Sequence, residues 1–139
     1  METFDFVDGN GPVPAHRHQN PDGNKGGWVA ETANVAKTAK VDYYALIFGK
    51  AKVSGSSWVS GTARISGSAW LSCNAEVSGL ARVFGNAKVS GYARVLGNAQ
   101  VFGNAHVSGT TLVSGFEKIF NDAESDTLPI CSAPSILGW

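Results

Sequence analysis

From residue 29 onward an aliphatic side chain returns at every sixth position: Val29, Val35, Val41, Ile47, Val53, Val59, Ile65, Leu71, Val77, Val83, Val89, Val95, Val101 and Val107. Four places after each stands a small residue, which is alanine in twelve of these fourteen hexads, with Ser57 and Thr111 the exceptions. The third place is glycine from Gly49 onward, interrupted only by Cys73. Residues two apart in a strand point to the same side, so the alanine of one hexad and the aliphatic residue of the next are both buried on a short A-x-V strand. The glycine lies just past that strand, where a sharply turning backbone needs a positive φ. β-Branched valines suit the strands. Strand and corner therefore alternate, and the chain must coil into a narrow prism that accepts alanine inside.

The repeat divides the chain into three segments. Residues 1–27 are expected to be irregular, being rich in proline and glycine with Asn-Pro and Asp-Gly turn signals. Residues 28–115 form the prism. Residues 116–139 lose the repeat. Phe116, Ile119, Phe120 and Ala123 fall at helical spacing behind Ser114 as an N-cap. This predicts a short helix capping the open end, which would otherwise expose unpaired strand edges. The remaining tail is expected to lie along the prism or a neighbour.

Fourteen uninterrupted hexads, each an aliphatic residue followed four places later by a small one, resemble the hexapeptide-repeat family. The resemblance implies an all-β fold, a left-handed parallel β-helix of about five triangular coils with three hexads per coil. It also implies a trimer with parallel axes. The run "GNAKVSGYARVLGNAQVFGNAHVSG" and the lead-in "GGWVAETANVAKTAKV" further resemble short repeat proteins of phage and bacterial genomes.

With eighteen residues per coil, residues eighteen apart stack in outward columns. One face carries Ala30, Phe48, Ser66, Phe84 and Phe102 beside Trp28, Leu46, Arg64, Arg82 and Gln100. An exposed phenylalanine column is unexpected on a soluble monomer. Two readings follow: the N-terminal segment folds over it, or it is a subunit interface made of Trp28, Leu46, Phe48, Phe84 and Phe102. The interface is the favoured one.

Charge and composition exclude some tasks. The 139 residues carry eleven basic and eleven acidic side chains, so no net field draws the whole molecule to nucleic acid or to an anionic membrane. No apolar run is long enough to span a bilayer, and the acidic start is unlike a signal peptide, so cytoplasmic synthesis is expected, with a virion as a possible destination. Two cysteines make no disulfide framework, and plain thiols are expected at Cys73 and Cys131.

Candidate chemistry is sparse. Many hexapeptide-repeat proteins are acyltransferases, which the resemblance associates with a protruding loop and a catalytic histidine, but this chain has no inserted loop. His106 lies on the prism wall with Lys88, not a carboxylate, beneath it, so no catalytic residue is assigned. His16 and His18 would supply half a metal site, yet the third histidine is distant, and no metal or cofactor is expected. "DGNKGG" at 22–27 lacks Walker spacing and a following helix. Trp58 and Trp70 point outward on different faces and do not together make a site.

Three functions remain in order: a non-enzymatic trimeric structural or interaction module, such as a virion decoration or fibre; a protein holding a small anionic ligand, such as a nucleotide, between subunits through His16, Arg17, His18, Arg64 and Arg82; and an acyltransferase. The expected partners are further copies of the chain, with a viral assembly or a small anion beyond them.

Overall fold

The computed structural model describes residues 2–7, 9 and 11–120. These residues form eighteen β-strands and no helix. Strands β1 (Thr3–Asp5), β2 (Pro12–Gln19) and β3 (Lys25–Ala30) open the chain. Fifteen two-residue strands follow, one every six residues from Asn34–Val35 to Lys118–Ile119. They wind into a parallel β-solenoid of about five coils, as the hexad pattern predicts.

Three sheets make the walls. The first starts with β1, β2 and β3 and continues through Leu46–Ile47, Arg64–Ile65, Arg82–Val83, Gln100–Val101 and Lys118–Ile119. The second runs from Asn34–Val35 to His106–Val107, and the third from Lys40–Val41 to Leu112–Val113. Every parallel pairing joins residues eighteen apart, such as Val83 with Val101 and Lys88 with His106. Backbone N–H groups donate toward the following coil: Arg82 N to Ala99 O at 3.0 Å and Phe84 N to Val101 O at 2.9 Å.

The inward columns are dry. Ala63, Ile65, Ala69 and Leu71 have no solvent exposure, and their stacked equivalents open to solvent only toward the ends, at Ala33, Val35 and Ile119. Ser57, a polar residue at an alanine place, is equally buried, but its hydroxyl donates to Ser54 O at 2.8 Å and is not stranded. Corner glycines answer two demands at once. Gly85 has φ +71°, and a Cβ on it would stand 2.8 Å from the backbone nitrogen of Gly103 one coil on. Cys73 occupies the same left-handed conformation at φ 63° and is disulfide-bonded, not the plain thiol expected. The chain's other cysteine, Cys131, lies outside the described residues.

Two further expectations give way. Residues 114–120 are not helical. Val113 and Ile119 keep the six-residue spacing, Gly115 turns the corner at φ +66°, and Gln100 N and Phe102 N donate to Glu117 O and Ile119 O at 2.9 Å each. The previous coil templates a strand, and its ladder outweighs a short helical spacing that has no packing of its own. The remainder of the expected helix, from residue 121, lies outside the described residues.

The N-terminal segment is also ordered into strands. β1 pairs antiparallel with β2, and β2 pairs antiparallel with β3, setting His16 opposite Val29 and Arg17 opposite Trp28. The Asn20–Gly23 turn closes with a hydrogen bond from Gly23 N to Asn20 O at 2.9 Å, Pro21 standing where its fixed φ suits such a turn.

This hairpin caps the first coil. In the first sheet β2 covers the free edge of β3. In the third sheet the cap is a side chain: Asn20 Nδ2 donates to Val41 O at 3.0 Å, and Val41 N donates to Asn20 Oδ1 at 2.9 Å. One amide side chain thus supplies the donor and acceptor that a neighbouring strand would offer. Beside it, His18 Nε2 donates to Ala39 O at 2.9 Å. Both residues are buried. Asn20→Ala should leave the Val41 N–H and C=O unpaired and lower the unfolding free energy by about 2 kcal/mol. Urea denaturation measures this, and an unchanged midpoint would remove Asn20 from the cap.

Candidate functional site

The outer surface of the first sheet holds most of the residues that sequence reasoning singled out, and the structure divides them in two. Over the first coils, β1 and β2 bring Phe4, Phe6, Val13 and Ala15 onto the outward columns. Phe6 stacks on Phe48 with ring centroids 4.9 Å apart, Phe4 on Trp28 at 5.0 Å, and Phe4 meets Phe6 edge to face at 4.9 Å. Phe6 is 1% exposed and Phe48 7%, while Trp28 and Leu46 are half-buried against them. Three of the five expected interface residues, Trp28, Leu46 and Phe48, are therefore covered by the chain's own N-terminus. The alternation of Phe4 with Phe6 and of Val13 with Ala15 is the signal that could have announced this second hydrophobic layer.

The proposed anion donors divide in the same way. His16 Nδ1 lies 2.7 Å from Glu31 Oε2, and His18 is the buried cap already described, so the two imidazoles serve different partners. The Arg17 guanidinium sits 3.9 Å from the Tyr43 ring centroid and 4.9 Å from that of Trp28, and its Nη1 donates to Gly26 O and Tyr43 O. These three residues hold the hairpin. Arg64 packs 5.3 Å from the Phe48 centroid and donates through Nη2 to Phe6 O at 2.6 Å, tying down the end of the first strand. Arg82 is exposed, and its guanidinium has no hydrogen-bond or ion-pair partner among the described residues.

Where the hairpin stops, the phenylalanine column continues. Phe84 and Phe102 stack at 5.0 Å with planes only 4° apart, and Phe120 extends the ladder at 5.8 Å. Phe84 and Phe102 are half-buried, and Phe120 is 56% exposed. Phe120, assigned to a helix from the sequence, is the ring that the hexad count missed. Arg64 and Arg82 stand in register beside the ladder. They line two shallow cavities: one of about 260 Å³ with Phe48, Ser66 and Phe84, and one of about 530 Å³ with Thr62, Leu80, Asn98, Gln100 and Phe116.

Elsewhere the chemistry is thin. His106 is half-buried in register with Lys88. Among the described residues no three histidine, cysteine or acidic side chains cluster as a metal site would require, and no helix is long and apolar enough to cross a membrane. Comparison with protein-family models, curated proteins and solved structures finds no match to this chain.

The hairpin's hold on the prism rests chiefly on Phe6. Phe6→Ala should lower stability by about 3 kcal/mol. It should also let a protease cut within residues 2–24 before the prism unfolds, as followed by mass spectrometry of timed digests.

Proposed function

We propose that this chain is a non-enzymatic interaction module: a stiff β-solenoid peg that associates with copies of itself into a homotrimer. The observation that carries the reading is the aromatic ladder of Phe84, Phe102 and Phe120. The same column is sealed by the hairpin at Phe48, yet three stacked rings continue beyond it with nothing from the described residues laid over them. A neighbour's flank would bury rings whose exposure costs stability in water. The regular, uninterrupted walls suit side-by-side packing of prisms. The resemblance to hexapeptide-repeat proteins supports three as the number of copies.

The test is the mass of the native protein. A trimer near 43.5 kDa, three times the 14.5 kDa chain, is expected by native mass spectrometry. Phe84→Ser combined with Phe102→Ser should convert it to monomer while far-UV circular dichroism is unchanged. A wild-type monomer, or a trimer indifferent to both substitutions, would sink the reading.

A second reading is favoured by Arg82. An unpartnered guanidinium between two cavities, next to the hydroxyl of Ser66 and the edge of Phe84, is a natural donor to a phosphate or carboxylate. In a trimer such a site would lie at the subunit boundary. If it holds a small anion, native spectra should show extra mass per chain, and Arg82→Ala should remove that mass without changing the oligomer. Retention of the mass in the variant would exclude Arg82 as the donor.

A further inference from the structure

The summed charge of the chain is zero, but the fold sorts it. The outer surface and corners of the second sheet, residues 32–38, 50–56, 68–74, 86–92 and 104–110, contain Lys37, Lys50, Lys52 and Lys88 and no aspartate or glutamate. All four lysines are exposed. None makes an ion pair among the described residues, although Arg94 on the third sheet reaches Glu76 at 3.4 Å and Lys40 reaches Asp22 at 3.9 Å. In the middle of this basic wall stands Trp70, 43% exposed. Its register places Lys52 on the preceding coil and Lys88 on the following one, with ammonium groups 5.8 Å and 5.5 Å from the indole centroid. A groove of about 280 Å³ runs beside it between Asn34, Lys52, Ser54 and Trp70.

We propose that this face binds an acidic polysaccharide, with Trp70 as the platform for a sugar ring and Lys52 and Lys88 as counter-charges for uronate carboxylates on either side. An indole offers a flat apolar surface with a polar edge, which suits the apolar face of a pyranose. The two lysines lie two coils apart, about 10 Å along the wall, so they meet charges repeated along a chain and not a single anion. The asparagine and serine side chains around the groove present the donors and acceptors that hydroxyl groups need. Nucleic acid fits less well: no arginine lies on the face, whereas phosphate recognition draws on the planar guanidinium fork. The partner is attracted by a local field, which is why the neutral total conceals it. The phenylalanine ladder belongs to a different sheet, so the two surfaces are made of different residues.

Isothermal titration of the full chain with polygalacturonate tests the proposal, with its methyl ester and an oligothymidylate as comparators. Binding to the free acid should weaken as sodium chloride rises from about 0.05 to about 0.5 M, since exposed lysines are screened over this range. It should fall about tenfold in Trp70→Ala, return largely in Trp70→Phe, and be lost when Lys52→Gln and Lys88→Gln are combined. Both tryptophan variants should melt as the parent does, because the side chain is outside the core. Equal binding of the methyl ester, tighter binding of the oligothymidylate, undiminished binding by Trp70→Ala, or no binding to polygalacturonate would each overturn it.

Discussion

Everything in this molecule follows from the backbone ladder that sets each residue on the one eighteen places later. The hydrogen bonds run along the prism axis, so side chains are sorted into columns with no freedom to drift. A one-residue slip would turn the inward valines outward and strand lysines such as Lys52 and Lys88 inward. The constraint also explains the glycine corners. Gly85 and Gly103 stack so closely that a Cβ could be admitted only by displacing backbone. Once the ladder is fixed, the first coil is left with a free edge that no repeat can cover, and the chain must supply something else.

What it supplies is the N-terminal hairpin, and this is where sequence and structure part. The hexads are legible because their signal is redundant: the same inward pair recurs through the whole prism. The cap is built once, from residues that each carry an ordinary alternative meaning. Asn20 reads as a turn residue, and it is one, but its side chain also stands in for a peptide group at Val41. His16 and His18 read as metal ligands or anion donors because imidazole does those jobs. Pairing with Glu31 and Ala39 depends on the register of β2 against β3, which spacing alone does not disclose. At the other end, helical spacing in "FEKIF" competed with a continued hexad, and the template of the preceding coil decided it.

The surface residues show the same division. In the sequence, arginine in a column next to phenylalanine reads as one continuous site. The structure spends Arg64 on anchoring Phe6 and leaves Arg82 exposed, because the hairpin ends between them. Summed charge does not describe how the fold distributes it. Eleven positive and eleven negative side chains cancel in a formula but not on a prism, where a lysine on one wall is separated by the dry core from an aspartate on another. Trp70 lies on a different face from Trp58. Its true neighbours are one coil away in space and eighteen residues away in sequence.

Asn20 has a last implication, for length. Its amide addresses Val41 alone, and the hairpin touches only the first coils, so nothing in the cap measures how tall the prism is. Inserting or deleting a unit of eighteen residues in the middle would preserve every column and leave the lid undisturbed. A unit copied from the coil that holds Phe84 and Lys88 would lengthen the aromatic ladder by one rung and the basic wall by one step. The cap thus fixes a zero mark for the prism without setting its height.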